Sequence, residues 1–332
     1  MKKMNNLIRT LVVTALVIGA AGCSSTTTNE ESINKENAEN YKIGVIQLVE
    51  HAALDAVYEG FVDGLKEAGL EEGKNITIDY QNAQGDQSNC QTIATKLVND
   101  RNDLILAIAT PAAQAVANTT KEIPILVTAV TDPADSKLVA SNEVPGGNVS
   151  GTSDLTPVKE QIGLIPQILP NAKTVGLFYC SNEANSKFQI ELAKKEAEAL
   201  GLKTVKATVS SSNEIQQVVQ SLVGKVDAIY IPTDNMLAAG MATVAQVTIP
   251  AGIPVIVGEE GMITNGGTAT YGLNYYDLGK LTATQAVAIL KEGKNPAEMP
   301  IEYLSEYNLV INQEVVEQMG LTLPKNLLDK VK

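Results

Sequence analysis

The stretch VDAIYIPTDNMLAAGM at residues 226–241 constrains the fold more than any other part of the chain. Ala228, Ile229, Tyr230 and Ile231 form an apolar run without polar alternation, as a parallel strand covered on both faces requires. Pro232, Thr233, Asp234 and Asn235 then break the strand and bring side chains that cap helices. The same design stands earlier in DLILAIATPAAQAVA at residues 103–117, where an apolar strand ends at Thr110 and Pro111 and a helix of small residues follows. Two such units in the two halves of one chain predict a duplicated α/β architecture with a ligand held between the tips.

The rest of the chain fits that plan. Strands are expected at residues 42–49, 75–80 and 123–130, with helices after Glu50 and His51 through Gly69 and at 86–99. The second half repeats the order, with strands at 173–179, 202–209 and 254–257, a charged helix ending at Leu200 and another helix at 212–222. Alternation of this kind implies right-handed βαβ crossovers and parallel sheets. VSGTSDL at 149–155, ATYGLNY at 269–275 and SEYNLVI at 305–311 read as extended crossings between two lobes. The first lobe is expected to comprise 41–150 and 275–304, and the second 151–274 and 305–332. Three crossings imply closure by hinge bending around a cleft.

Composition removes several classes of function. A chain of 332 residues accommodates two domains, and 44% hydrophobic with 19% charged residues describes a globular protein. The net charge of -13, without a Lys and Arg cluster beyond the N-terminus, excludes a nucleic-acid partner. Arg9 and Arg101 are the chain's arginines, and Arg101 precedes a strand whose tip is Thr110, so no guanidinium clamp for a phosphate or second carboxylate is expected. Trp, the usual platform for stacking sugars, is absent. His51 is the single histidine, which leaves no His-rich metal site and no conventional hydrolase triad. No GxSxG, HExxH, CxxC, Walker loop or GxGxxG after a strand occurs, so neither an enzyme nor a cofactor is expected.

Lys2, Lys3 and Arg9 flank the start of an apolar run at 11–21 that is too short for a stable bilayer anchor. Ala20, Ala21, Gly22 and Cys23 follow, and the segment resembles a bacterial lipoprotein signal whose Cys23 receives lipid, with Ala20 where Leu is favoured. A plain secretory signal is the alternative. Residues 24–40, rich in Ser, Thr, Asn and Glu, suit a flexible tether. The expected location is therefore the extracytoplasmic face of the cell membrane. Cys90 and Cys180 lie in opposite halves and are expected to be free, since a bridge would lock the hinge.

The runs IGVIQLVEHAALDA, ATPAAQA, TAVTDP, GTSDLTP, EANS, IYIPTDN and VIVGEEG, in this order, resemble the lipoprotein substrate-binding components of bacterial ABC importers. More narrowly, they are similar to the subgroup assigned to tryptophan or tyrosine, across residues 41–332. The resemblance implies a type I periplasmic-binding-protein fold, two Rossmann-like lobes joined by a three-segment hinge, with permease and ATPase partners. It implies a site made of Gln47, Glu50, His51, Thr110, Pro111, Ala112 and Asp154, with Asn185, Ser186, Asp234, Asn235, Glu259 and Glu260 from the second lobe.

An amino-acid zwitterion suits these residues. Its carboxylate would meet the Thr110 hydroxyl and the backbone N–H groups of the helix starting near Ala112, where the helix dipole favours an anion. Its ammonium would meet Asp234 first or Glu259 second, although Asp234 also reads as a helix N-cap. Glu259 and Glu260 are adjacent and point apart on an extended segment, so at most one should face the cleft. His51 serves either as a ligand-facing donor or as a loop residue at a helix start. Tyr271, Tyr275 and Tyr276 either stack on an aromatic ligand or pack internally, and Phe178 or Tyr179 could line the pocket. A branched-chain amino acid, a nucleoside, an adhesin or sensor role, and an exported enzyme using Asp154 with Glu259 remain as alternatives.

Overall fold

The computed structural model describes residues 40–331. The expected export signal and the tether up to residue 39 lie outside the described residues.

The first lobe opens with β1 (Tyr41–Gln47), α1 (Ala52–Glu67), β2 (Ile76–Asn82), α2 (Gln87–Asn99), β3 (Leu104–Ile108), α3 (Thr110–Thr119), β4 (Ile125–Val130) and β5 (Val149–Ser153). The second contains α4 (Val158–Ile168), β6 (Thr174–Cys180), α5 (Ala184–Ala199), β7 (Lys203–Val209), α6 (Ile215–Leu222) and β8 (Ala228–Ile231). It continues with α7 (Asn235–Ala239), α8 (Met241–Thr248), β9 (Val255–Val257), α9 (Gly261–Thr264) and β10 (Ala269–Gly272). Then α10 (Tyr275–Glu292) and β11 (Glu302–Tyr303) return to the first sheet, and β12 (Asn308–Ile311), α11 (Gln313–Gln318) and α12 (Lys325–Leu328) end the chain.

The two sheets share one plan. Strand orders are β11-β5-β4-β3-β1-β2 and β12-β10-β9-β8-β6-β7, all neighbours parallel except β12 against β10. Every residue of β3, β4 and β8 is buried, as their unbroken apolar runs require. In the first lobe the crossover through α1 runs toward β2, while those through α2 and α3 run the other way. Right-handed connections therefore put α1 with α10 on one face and α2 with α3 on the other. The order reverses beside β1 and beside β6, the switch points at whose carboxyl ends α/β sheets bind ligands.

Two glycines fix how α10 seats on the first lobe. A Cβ on Gly60 would lie 2.0 Å from the carbonyl oxygen of Tyr276, and one on Gly279 would lie 2.1 Å from that of Val57. The helices touch backbone to backbone, which holds the returning segment against α1. In the second lobe, apolar residues of α4 and α5 form one layer with Val316, Leu323 and Leu327, and those of α6, α7 and α8 form another.

The structure departs from the sequence reading in three places. β5 stays paired with β4 through Ser153, so the first sheet extends beyond residue 150 and the chain leaves it only at Asp154. Helix α4 was not anticipated, and Pro166 within it masks its apolar face of Val158, Ile162, Ile165 and Ile168. The helix opening at Asn235 stops at Ala239 and restarts at Met241, around Gly240, whose Cβ would meet Ile215 Cδ1 at 2.4 Å. Cys90 and Cys180 are free thiols buried in separate cores, and burial pushes them up to about 11 and about 12. No helix among the described residues is long and apolar enough to cross a membrane.

Replacing Gly279 with Ala should destabilise the protein by about 1–3 kcal/mol, the usual cost of forcing a methyl into a packed contact. The loss should appear as a lower urea midpoint with an unchanged slope.

Candidate functional site

The tips of β1, β3 and β5 face those of β6, β8 and β9. At the first, Gln47 is fully buried, and its Nε2 donates to the Val49 carbonyl at 2.9 Å and Asp55 Oδ1 at 2.7 Å. Its amide oxygen has no partner. His51 precedes α1 in an extended conformation and caps nothing, so its ring is free to cross the cleft, where Nε2 lies 3.4 Å from Asn235 Oδ1. The residue as a whole is partly exposed, but Nδ1 is buried and unpartnered, and burial lowers the imidazole to about 4.

At the β3 tip, Ala109 holds φ 81° and ψ 152°, a conformation costly for any residue with a Cβ. It turns the chain sharply into α3, with Thr110 and Pro111 at the first helical positions. The backbone N–H groups of Thr110 and Ala112 fall in the first turn and have no intrahelical acceptor. The Thr110 hydroxyl is buried and unpartnered, and Pro111 and Ala112 are buried beside it.

In the second lobe, Asp234 works inside its own lobe. Its Oδ1 accepts from the Leu237 N–H at 2.9 Å, which caps α7, and Oδ2 accepts from the Cys180 N–H at 2.5 Å and the Ser186 hydroxyl at 2.7 Å. Burial and then the nearby Glu183 charge raise its carboxyl. These contacts are those of the N-cap reading of Asp234, and they come from its own lobe. Glu183, which the sequence reading passed over, does similar work. It accepts from the Asn185 side chain at 3.1 Å, the Asn235 N–H at 3.1 Å, the Asn235 amide at 2.6 Å and the Met236 N–H at 3.0 Å. A signal was present, since Glu183 precedes a helix, but its partners at 235 and 236 are remote in sequence.

The free carboxylates lie at the hinge and the β9 tip. Asp154 accepts from the Tyr275 hydroxyl at 2.8 Å through Oδ2, and its Oδ1 is unpartnered. Glu259 Oε2 accepts from the Gly261 N–H and its Oε1 is unpartnered. Glu260 is half-buried over Gly272, and its Oε1 is unpartnered too. Burial raises Asp154 to about 6 and Glu259 to about 7, the charges of Asp154 and Glu260 adding to the effect at Glu259. No ion pair among the described residues involves these three acids.

Buried acceptors therefore dominate the cleft: Gln47 Oε1, His51 Nδ1, Asp154 Oδ1, Asn185 Oδ1, Glu259 Oε1 and Glu260 Oε1, against the Thr110 hydroxyl and the α3 N–H groups. Direct contacts also bridge the lobes, with Thr131 and Thr233 hydroxyls 3.1 Å apart and Gln189 Nε2 donating to Thr131 at 3.1 Å. At the outer edge a cavity of about 480 Å³ opens between Leu48, Val49 and Pro111 on one side and Glu183, Asn235 and Met236 on the other.

Glu50 at the β1 tip is exposed, whereas Phe178 is in the second lobe's core, and Tyr179 and Tyr271 pack against that lobe. The Tyr276 hydroxyl donates to Asp63 at 2.9 Å, so Tyr275 is the tyrosine of this trio that meets a cleft residue.

A profile of the family described as ABC transporter substrate binding protein matches residues 42–332. A tyrosine-binding protein of Clostridioides difficile is 38% identical over 331 residues, covering 100% of this chain and 95% of that protein. A solved Streptococcus pneumonia ABC domain in complex with L-Trp is 40% identical, with a TM-score of 0.86 over 88% of this chain and 99% of that one. The ligand-free, open structure of a Clostridium difficile substrate-binding protein with adhesive properties is 43% identical and covers 88% of this chain and 98% of its own, but its TM-score is 0.67.

The raised carboxyls set a pH dependence. Asp154 and Glu259 hold protons in the folded state at a pH where unfolded carboxyls have released them, so stability falls as pH rises from the ordinary carboxylate range through about 6 and about 7. Without ligand, the urea midpoint should be higher near pH ~5 than near pH ~8. Glu259→Gln should reduce the corresponding difference in unfolding free energy by about 1–3 kcal/mol.

Proposed function

The chain belongs to the ABC transporter substrate-binding proteins, and on that premise we propose that it captures an aromatic amino acid, tyrosine or tryptophan, between its lobes and delivers it to an importer's permease. Members of this family act outside the cytoplasm. Lipid on Cys23 would hold this one at the membrane surface, a role supported by the small residues before that cysteine. Its task is binding, without a reaction.

The observation that carries the ligand class is the excess of buried acceptors over donors. An amino-acid ammonium brings three N–H donors and a positive charge, and Asp154 Oδ1 with Glu259 Oε1 offers it buried partners. The carboxylate fits the Thr110 hydroxyl and the first turn of α3. Thr110 belongs to the first lobe and Glu259 to the second, so a ligand bound in this way ties the lobes together. The preference for an aromatic side chain rests on the relatives named for tyrosine and solved with L-Trp. The higher TM-score to the L-Trp complex than to the open form supports a closed arrangement of the lobes. The hinge would lie in 154–157, 273–274 and 304–307, between the elements of the two sheets.

Titration calorimetry on residues 24–332 should give heat with tyrosine or tryptophan, and Glu259→Ala should weaken binding about 10- to 100-fold. Binding of branched-chain amino acids or nucleosides in place of either aromatic ligand would sink the proposal. For the anchor, palmitate labelling in cells should be lost in Cys23→Ser, and labelling that persists would place the lipid elsewhere.

A further inference from the structure

The orientation of His51 follows from a chain of acceptors that leaves one arrangement. The Asn235 Nδ2 donates to Glu183 Oε2 at 2.6 Å, and the backbone N–H groups of Asn235 and Met236 donate to the same carboxylate at 3.1 and 3.0 Å. A carboxylate offers acceptors to those donors, so the amide nitrogen of Asn235 belongs at Glu183 and its oxygen faces His51. That oxygen, 3.4 Å from Nε2, also accepts only, which puts the ring proton on Nε2. Burial keeps the ring neutral near pH ~7, and a neutral imidazole protonated at Nε2 carries a bare lone pair at Nδ1. Nδ1 is buried and meets no donor from the protein.

We propose that the chain Glu183, Asn235 and His51 makes His51 the specificity-determining residue, its Nδ1 accepting from a donor at the far end of the ligand's side chain, a phenol hydroxyl or an indole N–H. A bare phenyl ring is thereby rejected. The inference rests on the aromatic-amino-acid reading above and adds the side-chain chemistry. The ammonium has its own partners where Asp154, Glu259 and Glu260 interact with one another. Asn235, which His51 meets at 3.4 Å, instead lines the cavity, where Leu48, Val49, Pro111 and Met236 offer apolar contacts for a ring among polar neighbours such as Gln87 and Asn182. A buried acceptor left unmatched by phenylalanine carries a desolvation penalty that tyrosine and tryptophan avoid.

One histidine in the chain gives one set of imidazole signals. Nitrogen-15 spectra of the protein saturated with tyrosine should show a neutral ring protonated at Nε2, with Nδ1 shifted relative to the phenylalanine complex. Calorimetry should find tyrosine or tryptophan bound about tenfold or more tightly than phenylalanine. His51→Phe, which removes the acceptor, should bring that ratio down to about threefold or less. A wild-type ring protonated at Nδ1, equal affinity for phenylalanine and tyrosine, or an equal loss of both ligands in His51→Phe would overturn the inference while leaving the aromatic reading intact. Failure of all three amino acids to bind would overturn that reading, and this inference with it.

Discussion

Buried acceptors that lack donors are the constraint around which the cleft is organised. Removing a carboxylate from water costs several kcal/mol unless charge and hydrogen bonds replace the hydration. Asp154, Glu259 and Glu260 sit where the lobes approach, each with one oxygen unmatched, and burial raises the carboxyls of Asp154 and Glu259, the neighbouring acids' charges adding at Glu259. Bringing the lobes together is therefore unfavourable in proportion to the charge left there. An ammonium reverses the sign of that contribution, and a ligand that binds the closed form better than the open one shifts the population by its differential affinity.

The same side-chain chemistry serves a second purpose a few residues away. Asp234 and Glu183 are as deeply buried as Asp154 and Glu259, yet N–H and O–H donors from their own lobe surround them. They shape the second lobe's tips, and through Asn235 they set what His51 presents to the cleft. Whether a buried acid builds the wall or meets the ligand depends on which donors the backbone has already supplied. The strained turn at Ala109 belongs to the same economy of positions, since it aims the first turn of α3 at the cleft.

Much of this was legible in the sequence. The apolar runs at 104–108 and 228–231 identify buried parallel strands, and the residues after them identify tips, because strand burial and helix capping are local requirements. Roles within the tips were less legible. An Asp after a strand suits a ligand and an N-cap equally, and the bonds that Asp234 accepts from the Cys180 N–H and the Ser186 hydroxyl come from residues remote in sequence. Glu183 escaped notice because its donors at Asn235 and Met236 arrive through the fold. Helix α4 was hidden by Pro166, and the first crossing was set too early because β5 carries Ser and Thr that pair as a strand through Ser153.

The most direct measurement is a high-resolution crystal structure of residues 24–332 with tyrosine. The ammonium should lie within hydrogen-bonding distance, about 2.7–3.0 Å, of Asp154 Oδ1 and Glu259 Oε1. The carboxylate should sit on the Thr110 hydroxyl and the first turn of α3. An ammonium held elsewhere, with both carboxylate oxygens still unmatched in the closed complex, would contradict the claim that these acceptors select the ligand.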